Sequence, residues 1–162
     1  MRPDTAADED FEFSMGEFTA KFRGDHFYAS NHMWAKPIEG RWRFGLTPYA
    51  VRLLQDVYFL DWIVEPSTAV RRRQMIGSIE SKKAESDLYA PVQGSIVALN
   101  DEALDDPSII NAHIYDDAWL FEMATTDPDS DDVLMRPDAY REHLAQAWVV
   151  AQRTIKGQAG AI

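Results

Sequence analysis

The chain has 162 residues, 46% of them hydrophobic, which is enough for one domain with a real core. Sixteen Lys and Arg stand against 27 Asp and Glu, a formal net charge of −11, and such a surface repels nucleic-acid phosphates. There is no cysteine, which excludes disulfides, thiolate catalysis and cysteine-built zinc sites. The mean hydropathy of −0.36 and the lack of a long apolar run leave no candidate membrane span.

Residues 1–20 hold one basic residue, Arg2, against Asp4, Asp8, Glu9, Asp10, Glu12 and Glu17, with Phe11, Phe13 and Phe18 among the charges. This pattern is neither a secretory signal nor a transit peptide. It reads as an acidic N-terminal extension, disordered or loosely docked; the competing reading is a short element that packs its phenylalanines on the domain or on a partner. A cytoplasmic protein suits the absence of cysteine and of a targeting segment.

A β-hairpin is expected next. Met33-Trp34-Ala35 leads through Lys36-Pro37-Ile38 to a Glu39-Gly40 turn. The returning run places Trp42, Phe44 and Leu46 on one face and Arg41 and Arg43 on the other. Thr47-Pro48 has the form of a helix start, with Thr47 as N-cap, and the helix is short, about Tyr49 to Gln55. A strand follows from Val57 to Val64, broken by Glu65-Pro66-Ser67. Arg71-Arg72-Arg73 is the one basic run, either a solvated loop or a docking patch.

From Met75 to Val92, two alternating runs flank a small polar tip that carries Lys82 and Lys83. A lysine there is held out from the body on a flexible stem, the geometry for a side chain that an outside enzyme must reach and modify. Beyond it come a strand over Ser95 to Leu99, a loop or single helical turn over Asn100 to Pro107, and an irregular connection over Ser108 to Ile114. Trp119 to Met123 is a further strand, and Thr125 to Asp132 an acidic linker. A C-terminal helix runs from about Pro137 to near Arg153, with Tyr140, Leu144, Ala147, Trp148 and Ala151 along one stripe. The tail from Lys156 is frayed. The tryptophans Trp34, Trp42, Trp62 and Trp119 fall on predicted strands as core residues.

The chain resembles the glycine cleavage H-protein family of lipoyl carriers. The matching stretches are Asn31-His32-Met33-Trp34-Ala35, Gly45-Leu46-Thr47-Pro48-Tyr49-Ala50 and Gln55-Asp56-Val57-Tyr58-Phe59-Leu60. They continue with Gly77 to Gly94, which contains Glu80-Ser81-Lys82-Lys83-Ala84, then Val97 to Leu104 and Tyr115 to Leu120. They occur in the family's order and at about its spacing over residues 25–145.

The resemblance implies a barrel-sandwich hybrid of the lipoyl- and biotinyl-carrier type, mainly β with α, with a short inner helix and a C-terminal helix. The expected divisions are an extension over 1–20, the lipoyl domain over 21–155 and a tail over 156–162. It also implies lipoate joined covalently to Lys83, which precedes an alanine and lies three residues after Glu80. A biotin carrier is expected to show methionines on both sides of its lysine; here the neighbours are Lys82 and Ala84.

By the same resemblance the protein is not an enzyme in itself. It shuttles an aminomethyl group between a pyridoxal-phosphate glycine decarboxylase and a folate-dependent aminomethyltransferase, and is reoxidised by dihydrolipoamide dehydrogenase after modification by a lipoate ligase or lipoyl transferase. A monomer is expected, with no nucleic-acid or membrane partner. Glu80, Ser81, Asp87, His32, Met33 and Leu53 are the expected arm or partner contacts. Met33 stands where the family usually has glutamate, Leu53 where some members have histidine, and Ala118 where the family has glycine. The first two changes make the arm's site more apolar. Two alternatives stay open: an H-like lipoate-binding protein of another pathway such as sulfur oxidation, and an unlipoylated acidic interaction module.

Two other patterns are weaker. Asp127, Asp129 and Asp131 are spaced like a calcium loop, but Asp132 and Asp138 stand where glycine and glutamate belong and Pro128 intrudes, so the stretch reads as linker. His26, His32, His113 and His143 show no ligand spacing.

Overall fold

The computed structural model describes residues 8–127 and 130–161. After an N-terminal hairpin, the strands β3 (Phe27–Tyr28), β4 (Met33–Ile38), β5 (Arg41–Leu46), β6 (Val57–Trp62) and β7 (Ala69–Val70) follow in order. They are succeeded by β8 (Met75–Ser81), β9 (Glu85–Tyr89), β10 (Gly94–Leu99) and β11 (Phe121–Thr125). A six-stranded sheet has the order β3-β4-β5-β11-β10-β7, and a three-stranded sheet the order β6-β8-β9. Both contribute to the main core: Phe44, Ile96, Phe121 and Met123 from the first, Leu60, Ile76, Ile79 and Leu88 from the second. The expected barrel-sandwich class, mainly β with a short inner helix and a C-terminal helix, is what the fold shows.

Local chemistry sets the elements. Glu39 and Gly40 both take positive φ, 46° and 83°, as a two-residue turn twisted to match its strands requires. Helix α1 (Pro48–Leu54) starts as its sequence directs: the Thr47 hydroxyl accepts from the Ala50 amide at 3.3 Å, and Pro48 sits where no amide is needed.

The N-terminal stretch corrects the sequence reading. Instead of a loose tail, β1 (Phe11–Met15) and β2 (Phe18–Phe22) form a hairpin around Gly16, which takes φ 68°. Its strand β2 runs across the boundary expected at residue 20. Phe11 and Phe22 stack at 4.8 Å between centroids, Phe22 meets Tyr140 edge-on, and Phe13 does the same with Tyr49. The Arg52 guanidinium lies 4.3 Å from the Phe18 ring centroid. This aromatic layer is a second core, which takes in Tyr28, Trp34, Tyr115 and Leu144. The acidic residues are compatible with it because Glu12 and Glu17 point to solvent while Phe22 and Met15 point inward.

Other bounds also move. Strand β6 ends at Trp62, and β11 begins at Phe121, so Trp119 precedes its strand. Trp34 and Trp42 are buried as expected; Trp62 and Trp119 are only half-buried, and Arg43 lies over the Trp119 ring at 4.7 Å. The irregular connection contains α3 (Ile109–Ala112), the Asn100 loop contains α2 (Asp101–Asp105), and the acidic linker leads into α4 (Ser130–Val133). Part of the calcium-like pattern, Pro128 and Asp129, lies outside the described residues. No group of three or more His, Cys, Asp or Glu close enough to hold a metal occurs among the described residues. Helix α5 (Pro137–Ala161) continues past the end expected near Arg153.

One buried charge is fully met. Glu122, 2% exposed, accepts from Arg41 Nε at 2.7 Å and Arg43 Nε at 2.8 Å. Arg43 and Glu122 are cross-strand partners on β5 and β11. Burial would raise the Glu122 carboxyl, but the two guanidinium hydrogen bonds outweigh it and hold the group below its ordinary value.

Candidate functional site: the lysine hairpin

Strands β8 and β9 pair antiparallel, with Glu80 opposite Glu85 and Ser78 opposite Asp87. Ile76, Gly77, Ile79, Ser81 and Leu88 are buried, while Ser78, Glu80, Glu85, Ser86 and Asp87 are half-exposed or exposed. Between the strands, Lys82 and Lys83 form the tip and are both exposed. Neither ammonium has a hydrogen bond or ion pair among the described residues.

Ser81 holds the tip together. Its amide donates to the Ala84 carbonyl at 2.8 Å, and its hydroxyl donates to the same oxygen at 3.0 Å. The hydroxyl oxygen also accepts from the Ala84 amide at 3.1 Å and the Lys83 amide at 3.3 Å. The two lysines are tied differently. Lys82 donates its amide to the Asp56 carbonyl at 2.9 Å, which fixes it to the junction between α1 and β6. That junction is stapled by Asn111, whose side chain donates to the Gln55 carbonyl at 2.7 Å and accepts from the Val57 amide at 2.9 Å. Among the described residues, the Lys83 backbone is held only by the Ser81 hydroxyl.

The remaining expected contacts divide. Glu80 is half-exposed and Asp87 exposed; Asp87 accepts from the Tyr89 hydroxyl at 3.2 Å and its charge raises the Tyr89 phenol. Leu53, 39% exposed, sits on α1 just before the junction that holds Lys82. His32 and Met33 go elsewhere. Met33 is 2% exposed and fills the main core, so it offers no surface to an arm. His32 has φ 66° and packs 4.5 Å from Tyr49, with Nδ1 on the Tyr140 hydroxyl at 2.8 Å. Tyr140 donates onward to Thr47 at 3.2 Å, so the His32 Nδ1 is the proton donor to Tyr140. Burial lowers His32 to about 4, and the nearby His143 adds to the shift.

The site residues that sequence reasoning missed are Asp56 and Asn111. Asp56 acts through its carbonyl, which carries no residue-type signal, and Asn111 acts from a stretch that reads as irregular. A barrel-sandwich body that displays an uncommitted lysine on a braced hairpin is a carrier domain of the lipoyl and biotinyl class.

The chain belongs to the glycine cleavage H-protein family. That family's model, described as glycine cleavage H-protein, matches residues 26–147. The glycine cleavage system H protein of Methylacidiphilum infernorum is 35% identical over 120 residues, covering 74% of this chain and 93% of that protein. The one from Listeria monocytogenes serotype 4b is 36% identical over 120 residues, with 74% and 95% covered. In three dimensions the chain is similar to a glycine cleavage system H protein from Mycobacterium marinum, with a TM-score of 0.66 and 32% identity over 78% of this chain and 98% of that one. The hairpin of β1 and β2 precedes the matched segment. Among the described residues, no helix is long and apolar enough to cross a membrane.

Proposed function

We propose that this protein is a lipoyl carrier of the glycine cleavage type, with lipoate amide-linked to Lys83 Nζ. The observation that carries the reading is the pair of facts at the tip. Lys83 is exposed with an unengaged ammonium in a Glu80-Ser81-Lys82-Lys83-Ala84 frame, and its hairpin is braced so that only the side chain need move. These residues fit the group, because covalent attachment asks only for an accessible amine in a shape a ligase can grip. When attached, lipoate supplies the dithiolane chemistry; the chain supplies reach, orientation and recognition. Ser81 fixes the turn from which the arm leaves, Lys82 anchors that turn to the body, and Glu80, Asp87 and Leu53 form the surround that partner enzymes meet.

The partners in this reading are a lipoate ligase or lipoyl transferase, glycine decarboxylase, aminomethyltransferase and dihydrolipoamide dehydrogenase, acting on a monomeric, cytoplasmic carrier. The names of the relatives support glycine cleavage over sulfur oxidation or an unmodified interaction module. Intact-mass measurement after expression with lipoate and a ligase tests the attachment. One lipoyl adduct is expected, kept in Lys82→Ala and lost in Lys83→Ala; an adduct-free wild type refutes the attachment. Glycine–bicarbonate exchange with a partner decarboxylase tests the pathway, and an inactive lipoylated form removes the glycine role.

A further inference from the structure

At the other end of the lysine hairpin, the surface changes sign. Arg71, Arg72 and Arg73 are all exposed, and none has an ion pair or a side-chain hydrogen bond among the described residues. They are not a loose loop. The Arg71 amide donates to the Gln74 side chain at 3.0 Å, and the Gln74 amide donates back to the Arg71 carbonyl at 3.1 Å. The Arg73 amide and the Gln74 carbonyl both bond Ala90, at 2.8 Å each, just beyond β9. Arg73 itself takes φ 71°, a conformation that costs a non-glycine residue energy and persists only where the surroundings hold it. Three guanidinium groups are therefore displayed from a fixed backbone.

Beside them lies a cleft of about 590 Å³, whose lining includes Arg72, Arg73, Asn31, Tyr89 and His143, with Asp132 as the one carboxylate among the described lining residues. Tyr89 is 42% exposed, and its cross-strand partner Met75 is 37% exposed. Arginine, tyrosine and methionine are the residue types enriched in the centres of protein interfaces. Exposed Met75 and Tyr89 beside fixed, unpaired arginines have that composition, with Asp87, which accepts from the Tyr89 hydroxyl, on the side toward the tip.

We propose that this face, built from Arg71, Arg72, Arg73, Met75 and Tyr89, is the docking surface for a carboxylate-rich face on an enzyme that works on the Lys83 arm. Charge selects the occupant. A chain of net charge −11 repels an extended polyanion such as nucleic acid or an anionic membrane, so three cations attract only a local acidic surface. Geometry agrees. From Arg73 to Lys83 the chain runs along β8, and at about 3.3 Å per residue the separation is roughly 30 Å, within the width of a single enzyme domain. A partner gripping the base of the hairpin can receive the tip in its active site. The partner's identity rests on the carrier reading above; the surface itself does not.

The test is titration of the unmodified and lipoylated full-length protein against the ligase, decarboxylase, aminomethyltransferase and dehydrogenase, over a salt series. Wild type is compared with R71Q/R72Q/R73Q and with K21Q/K36Q/R153Q, which removes the same charge elsewhere. With at least one enzyme, the arginine variant is expected to bind about tenfold more weakly at low salt, with a flatter salt dependence. The control variant should stay within about twofold. Equal losses in both variants, or no binding of wild type to any of the four, overturns the surface. So does self-association of wild type that the arginine variant abolishes, since the occupant is then a second copy. Arginine-dependent binding without any lipoyl adduct keeps the surface and removes the carrier reading; an adduct with arginine-independent binding does the reverse.

Discussion

Replacing Glu122 by glutamine tests the joint between β5 and β11 on which the six-stranded sheet depends. The change keeps the shape but leaves one neutral oxygen for two guanidinium donors that now sit at 2.7 and 2.8 Å from a carboxylate. Breaking a buried ion pair by removing one partner costs about 3–5 kcal/mol. The side chains of Arg41 and Arg43 are 32% and 29% exposed, so water takes up part of their loss. The expected cost is then about 2–3 kcal/mol. With a urea slope of about 2 kcal/mol per molar, the midpoint should fall by roughly 1–1.5 M. The pH dependence supplies a second check. The folded carboxyl is held below its ordinary value, so its contribution is present above the unfolded value near about 4.3 and is lost as pH falls through the folded one. The gap between wild type and variant should be full above about pH 5 and narrow progressively as pH falls below the unfolded value and through the lowered folded one. Equilibrium urea unfolding at several pH values measures both. A gap under about 0.5 kcal/mol at neutral pH, or one that does not narrow in acid, would refute the account.

Four further outcomes are expected. Phe22→Ala removes a side chain that is 1% exposed between Phe11, Tyr28 and Tyr140, and should cost about 3–4 kcal/mol in urea unfolding; a loss under 1 kcal/mol means that the N-terminal hairpin is not part of the cooperative fold. Ser81→Ala deletes the hydroxyl contacts to Lys83 and Ala84, about 1–2 kcal/mol of restraint at the tip, and peptide mapping after ligase treatment should show adduct spilling onto Lys82; adduct confined to Lys83 at an unchanged rate argues against a positioning role. His32 should stay neutral until about pH 4 in an NMR titration. Because its folded value is lowered, its contribution to stability is complete above the unfolded value and is lost as pH falls from about 6.5 toward 4; titration near pH 6.5 would contradict its burial. Gly45→Ala would drive a Cβ into the Trp34 indole and should lower stability by about 1–3 kcal/mol, read by thermal unfolding; a neutral change would show that Trp34 can shift.

What was legible in the chain was local. The Glu39-Gly40 turn, the Thr47-Pro48 helix start and the alternation around Lys82 and Lys83 each depend on neighbours a few residues apart, and each formed where expected. The N-terminal hairpin was legible too: Phe11, Phe13 and Met15 alternate, Gly16-Glu17 turns, and Phe18, Ala20 and Phe22 alternate back. Acidic composition hid it, because charges on the outward face say nothing about the inward one. Long-range pairings left no trace in the order of residues. Arg41 and Arg43 read only as the solvent face of a strand, since their partner lies about 80 positions on. Met33 falls in a matching stretch, in a place expected at the arm's surface, yet it is buried, because burial belongs to the assembled sheets.

The amide bond from Lys82 to the Asp56 carbonyl has a mechanical side. In the proposed carrier role, a pull on the Lys83 side chain by a partner enzyme passes through one peptide unit and enters the body where Asn111 clamps the end of α1 to the start of β6. The hairpin is thus loaded along a short path to a fixed point, and its strands need not peel apart for the arm to swing.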